Sequence, residues 1–199
     1  MFKPYCRIVR HAQPLVAPGV CYGRLDVAAD SAHTEQVAQA LLAAWDGVPP
    51  LLLHSPMQRC VQLLEAVRVL LAESGLQWAV RAEPLLAEMD FGHWEGQTWD
   101  AIGPDALDAW TRDFAHYRPG GGESVAQFMQ RVGQVWQATQ RHMARTDQPV
   151  WWLAHAGVAR AAHCWQHGVQ VQQAIDWPQE GLAYGMWVDM PQIQALAQW

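Results

Sequence analysis

The feature that most constrains the fold of this chain is a repeated order: a short β-forming or apolar run, a polar residue at its end, then a helical pattern. Tyr5 to Arg10 (YCRIVR) carries β-formers and leads into the pair Arg10-His11. Leu51-Leu52-Leu53-His54 and Val150-Trp151-Trp152-Leu153-Ala154 are apolar runs bounded by proline. They are too short for core helices and apolar enough for strands buried on both faces. Val37, Leu41, Leu42 and Trp45 mark a helix after the first run. Ser55-Pro56-Met57-Gln58 reads as a capping box opening a helix through about Glu73, with Ser55 as N-cap and Pro56 in the first turn. Ser124-Val125-Ala126-Gln127 reads as a second capping box. It opens a long helix whose apolar residues at 125, 128, 129, 132, 135 and 136 follow the 3.6 period. Leu182 to Met190 reads as a closing strand. Strand–helix alternation of this kind predicts an α/β protein, a three-layer α/β/α sandwich with a mostly parallel central sheet.

Composition narrows the partners. The chain of 199 residues is 51% apolar by type, long enough for one domain with a sizeable core, and its formal charge of −6 offers no global field for nucleic acid or an anionic membrane. No apolar run approaches the roughly 18 residues that a spanning helix needs, and no signal peptide is evident. The four cysteines, at 6, 21, 60 and 164, form no close pair and fit reduced thiols in a cytoplasm. The only linker-like stretch, 116–122 (HYRPGGG), is too short to separate one domain from another but long enough for a mobile loop. Twelve tryptophans carry no functional weight by themselves. The basic side is twelve arginines and one lysine, Lys3, so a local anion site must be built mainly from guanidinium groups or histidine.

In open α/β sheets ligands bind beyond the carboxyl ends of the strands, which directs attention to Arg10-His11, to His54 with Arg59, and to His155. The dipeptide Arg-His is weak evidence alone, since about half an occurrence is expected by chance in this composition. It occurs twice. Arg141-His142 lies near the end of the long helix, where basic residues favour the helix dipole, whereas Arg10-His11 closes a strand. Arg59 falls in the first turn of its helix, beside backbone N–H groups that suit a phosphate-sized anion. Two arginines and up to three histidines thus meet at one sheet edge, against the acidic charge of the whole chain.

These residues resemble, over nearly the whole length, the signatures of the histidine phosphatase superfamily of phosphoglycerate-mutase-like enzymes. Arg10-His11 is similar to its arginine–histidine signature, and Ser55 to Arg59 (SPMQR) to its serine-proline-x-x-arginine segment. Residues 86–96 (LAEMDFGHWEG) look like the block that supplies the acid, and 153–157 (LAHAG) like the second-histidine block. Within the superfamily, residues 19–26 (GVCYGRLD), the Glu-Met-x-Phe-Gly-x-Trp-Glu pattern and the later Gly-Glu-Ser resemble the α-ribazole phosphatases of cobalamin assembly. The pattern departs from the usual signature at Ala12, Gln13, Pro14 and Ala17, at Leu63 where a hydroxyl residue is expected, and at His54 where serine is common.

The resemblance implies a single domain over 1–199 with a cap-like insertion at about 88–123. It also implies a cytoplasmic phosphoric monoester hydrolase that uses neither cofactor nor metal, acting on a small-molecule phosphate ester as a monomer or homodimer. A phosphate monoester repels anionic nucleophiles, and neutral imidazole avoids that repulsion. The resemblance carries the nucleophile onto His11, the phosphoryl clamp onto Arg10, Arg59 and protonated His155, and the acid onto Glu88, with Glu95 the structural carboxylate. Gln13, Tyr22, Gly23, Arg24 and Ala156 are the expected substrate contacts, and His93 and Trp94 are further neighbours. Two other readings compete. His163 and His167, at i and i+4 on a helix, have the spacing of a metal pair in a metal-dependent hydrolase. A catalytically inactive phosphate-binding protein on the same fold is the other. Near absence of lysine and modest length weigh against a mutase.

Overall fold

The structure is a computed structural model and describes residues 3–193. Within these residues five strands form one sheet: β1 (Tyr5–Arg10), β2 (Leu51–His54), β3 (Ala79–Ala82), β4 (Val150–Ala154) and β5 (Trp187–Pro191). The order is β3-β2-β4-β1-β5, with every pairing parallel except β1 with β5. Among the described residues six α-helices accompany them: α1 (Ser31–Ala43), α2 (Gln58–Glu73), α3 (Trp99–Ile102), α4 (Pro104–Arg112), α5 (Val125–Thr146) and α6 (Ala156–His167). Among the described residues no helix is long and apolar enough to cross a membrane.

Alternation along the strands divides the core into two. Ile8, Leu53, Val150 and Trp152 pack with α5 and α6 residues such as Phe128, Trp136 and Val158. Val9, Leu52, Trp151 and Leu153 pack with α1 and α2 residues such as Leu41, Leu63 and Val67. Because each strand feeds both layers, β4 is buried at all five positions, which is why its sequence reads as an unbroken apolar run. The buried cation Arg7 is matched by Asp189 at 2.7 Å and lies 4.7 Å from the Trp151 ring. The chain leaves β1 toward the α1 layer and β4 toward the α6 layer, so the ends of these neighbouring strands open a crevice between the layers. Arg10-His11 and His155 sit at that opening.

Three sequence expectations are corrected and one strand is added. Ser55 is not an N-cap: α2 begins at Gln58, and Asp26 Oδ1 accepts the Gln58 N–H at 2.7 Å, closing that helix end from outside. The last strand starts at Trp187, because residues 181–185 are drawn over the ends of β1, where Gly185 N donates to the Arg10 and His11 carbonyls. The edge strand β3 escaped notice because Ala-Val-Arg-Ala is short and mostly exposed. The 116–122 stretch is packed, not free: Gly120 meets the Phe91 backbone so closely that a Cβ there would stand 2.1 Å from the Phe91 carbonyl oxygen. The box at Ser124 and Gln127 is present as expected.

Candidate active site

A cavity of about 540 Å³ opens at the strand ends, lined by Arg10, His11, Tyr22, Glu88, Ala156, Gly157, Arg160 and Tyr184 and by an apolar wall that includes Phe91, Trp99, Trp110, Phe128 and Trp177. Much of that wall comes from residues 84–125, which turn through short 3₁₀ segments and the helices α3 and α4.

His11 is only 2% exposed. Its Nδ1 lies 2.6 Å from the Ala12 carbonyl oxygen, which can only accept, so Nδ1 carries the proton and Nε2 keeps a lone pair. Arg59 Nε donates to that lone pair at 3.2 Å. Burial first and then Arg59 depress the His11 pKa to about 3, with Arg10 adding less; the Ala12 bond pulls the other way, more strongly than Arg10 pushes. The imidazole is therefore neutral and singly oriented, as a nucleophile requires.

Arg59 is fully buried. Its two Nη groups donate to the carbonyls of Leu25 at 3.0 Å and Gly23 at 2.6 Å, so it also fixes the 22–25 loop against the site. Gly23 is required there, since a Cβ would fall 1.8 Å from the Met89 carbonyl oxygen. Arg10 donates from Nη1 to Leu182 O at 2.6 Å and lies 3.7 Å over the Tyr184 ring, while its buried Nε has no hydrogen-bond partner. Tyr184 and Tyr22 join hydroxyls at 2.7 Å.

His155 is fully buried beside His11, the ring centroids 5.2 Å apart in an edge contact. The resemblance implies a protonated ring. As folded it is neutral, its pKa driven well below the ordinary value by burial first and then by Arg59, His11, Arg131 and Arg10. A phosphate dianion at the cavity floor would pull in the opposite direction.

Glu88 reaches the cavity with its carboxylate on the first turn of α6: Oε2 accepts the Gly157 N–H at 3.0 Å and Oε1 accepts the Met89 N–H at 3.0 Å. Its backbone is pinned by Arg131 of α5, which donates to the carbonyls of Leu85 and Ala87 at 2.6 Å each and of Glu88 at 2.9 Å, and pairs with Glu123 at 2.7 Å. Glu95 is occupied elsewhere, accepting the backbone N–H groups of Arg24, Leu25 and Phe91.

The structure thus brings together Arg10, His11, Tyr22, Glu88 and Ala156, with Gly23, Arg59 and His155 directly behind. Gln13 does not line the cavity: it is exposed, with its N–H on His33 and its carbonyl accepting from Asp30. Arg24 and His93 are exposed as well, Trp94 is buried outside the cavity lining, and His54 Nδ1 lies 2.9 Å from the Ser55 carbonyl oxygen rather than in the cavity. The expected anion seat at the start of α2 is taken by Asp26. The His163 and His167 rings lie tilted against each other with centroids 4.1 Å apart, but no group of three or more metal-ligating side chains is present among the described residues. Ser55 was read as a helix cap, and Arg131, Arg160 and Tyr184 were missed. The last lies in a stretch read as strand, and an arginine facing carbonyls leaves no sequence pattern.

The buried neutral histidines yield a pH prediction. Between the ordinary histidine pKa of 6.5 and about 3, the unfolded chain binds a proton at His11 that the folded chain does not, so folding stability falls as pH falls through that window. From pH 7 to pH 5 the loss at His11 is on the order of 2 kcal/mol. Urea unfolding at the two pH values should show His11→Asn losing less stability than wild type by that amount. Equal losses would mean that His11 titrates normally.

Residues 6–189 match the model of the histidine phosphatase superfamily (branch 1), and the chain belongs to that family. No curated protein matches it significantly. Among solved structures it is similar to an Escherichia coli K-12 protein provisionally named an alpha-ribazole-5'-P phosphatase, at TM-score 0.76 and 24% identity over 96% of this chain and 92% of that one. It is also similar to a mycobacterial glucosyl-3-phosphoglycerate phosphatase, at TM-score 0.72 and 23% identity over 94% and 89%. A third similar structure is "Mycobacterial hydrolase 2", at TM-score 0.74 and 25% identity over 95% and 82%.

Proposed function

We propose that this protein hydrolyses a small-molecule phosphate monoester through a phosphohistidine at His11. The observation that carries the reading is the His11 ring itself: neutral, held at Nδ1 by the Ala12 carbonyl, with its Nε2 lone pair beside Arg59 in a cavity that also contains Arg10 and Glu88. The phosphoryl oxygens take the Arg59 N–H from Nε2 and add the unpartnered Arg10 Nε–H, which frees the lone pair to attack phosphorus in line. As the bond to the leaving oxygen breaks, Glu88, which enters this step as the protonated carboxylic acid, gives that oxygen its proton. The carboxylate so formed takes a proton from water, which attacks phosphorus, releases inorganic phosphate and returns His11 to its neutral form.

The aromatic wall supports a substrate whose alcohol part carries a flat apolar group, and α-ribazole phosphate is such an ester. Burying about 100 Å² of apolar surface at about 25 cal/mol per Å² is worth tens of fold in kcat/KM. A panel should therefore rank α-ribazole phosphate above polar sugar phosphates, glucosyl-3-phosphoglycerate included, by about that factor. Hydrolysis of p-nitrophenyl phosphate should persist in a chelator and be inhibited by orthovanadate, which mimics the five-coordinate transition state. Activity abolished by the chelator and restored by zinc would contradict the reading.

A further inference from the structure

Ser55 occupies the turn after β2, fully buried, as His155 is. Its Oγ lies 2.8 Å from His155 Nε2 and 3.3 Å from the Met57 backbone nitrogen. The other ring nitrogen, Nδ1, is buried with no hydrogen-bond partner. Because the ring is neutral as folded, only one of its nitrogens carries a proton.

Counting protons decides which one. The Met57 N–H can only donate, so Ser55 Oγ accepts there and keeps one hydroxyl proton to give. Cys60 stands against both groups, its sulfur 3.7 Å from His155 Nε2. Its S–H has an acceptor in the Ala154 carbonyl oxygen at 3.5 Å, and burial pushes the thiol pKa up to about 12, so the sulfur stays neutral and a weak acceptor. The imidazole nitrogen is the strong acceptor within reach of the serine hydroxyl. If Nε2 carried the proton instead, the hydroxyl would accept twice and have only the thiol sulfur to donate to. Nδ1 would then face an incoming phosphoryl group with a lone pair, which an anion repels.

We infer that Ser55 is a positioning residue: by donating its hydroxyl proton to His155 Nε2 it fixes the imidazole as the Nδ1–H tautomer and so supplies a buried N–H donor for a phosphoryl oxygen held beside His11. The serine of the SPMQR segment thereby acts through His155, and its resemblance to a helix cap is a coincidence of residue type. The inference rests on the phosphoryl-transfer reading only for its consequence, because the tautomer is a property of the ring whatever the protein catalyses.

Nitrogen-15 NMR of the histidine rings in the wild-type protein near pH 7.5, with His155 assigned by its loss in His155→Asn, should find the proton on Nδ1. Finding it on Nε2 would overturn the inference whether or not Ser55→Ala folds. In Ser55→Ala the same spectrum should show the Nδ1–H form no longer dominant. Orthovanadate should bind that variant about 10- to 100-fold more weakly, the worth of one hydrogen bond to a charged group. Unchanged vanadate affinity in folded Ser55→Ala would equally overturn it. Absence of a phosphohistidine would strike the phosphatase reading and leave the tautomer result standing.

Discussion

His11→Ala is expected to lower turnover of any phosphate ester by on the order of 10⁴- to 10⁶-fold, the scale seen when a hydrolase loses its nucleophile and keeps the rest of its site. The substitution also removes the acceptor of the buried Arg59 Nε, at a cost of about 1–3 kcal/mol. Circular dichroism and urea unfolding must therefore accompany the assay, so that lost chemistry is told apart from lost folding. Vanadate has no covalent need of His11 to meet Arg10 and Arg59, and a folded variant should still bind it. Wild-type turnover in folded His11→Ala would remove the nucleophile assignment.

Glu88→Gln should discriminate between leaving groups. An alkoxide must receive a proton as the phosphorus–oxygen bond breaks, whereas nitrophenolate leaves readily without one, and general acid catalysis is worth about 10²–10⁴ in rate. In single turnover, phosphoenzyme formation from an alkyl phosphate should fall by about that factor, and from p-nitrophenyl phosphate far less. Steady-state rates would blur the contrast, since the same carboxylate then serves as base for hydrolysis of the phosphoenzyme. Glu95→Gln should instead destabilise the loop that it ties through Arg24, Leu25 and Phe91, with no preference between esters. Equal losses on both esters in Glu88→Gln, or the differential loss in Glu95→Gln, would take the acid role from Glu88.

What the sequence made legible follows from where the chain buries its strands. β1, β2 and β4 lie between two layers, so their runs are apolar or β-forming throughout and their limits coincide with the expected ones. β3 borders the sheet with only a partial apolar pattern and left no comparable signal. Arg10, His11 and His155 were legible because a strand end in an open α/β sheet is a place with a chemical meaning. Ser55 was misread because serine before a helix satisfies the same local pattern whether it caps the backbone or reaches across to a histidine 100 residues away. Asp26, which does close that helix, comes from a loop 32 residues earlier. The protonation of His155 could not be read at all, since it is set by burial, by His11 and by three arginines from β1, α2 and α5. The tryptophans, weighed as core fillers, divide in fact: Trp136, Trp151 and Trp152 fill the core, and Trp99, Trp110 and Trp177 wall the cavity.

The central claim is a covalent bond between phosphorus and one nitrogen of His11. Wild-type protein mixed with a phosphate ester for milliseconds, quenched in alkali rather than acid and digested, should show by mass spectrometry a phosphorylated peptide whose added mass maps to His11. Label on another residue, or turnover with a pre-steady-state burst and no phosphopeptide at all, would contradict the account.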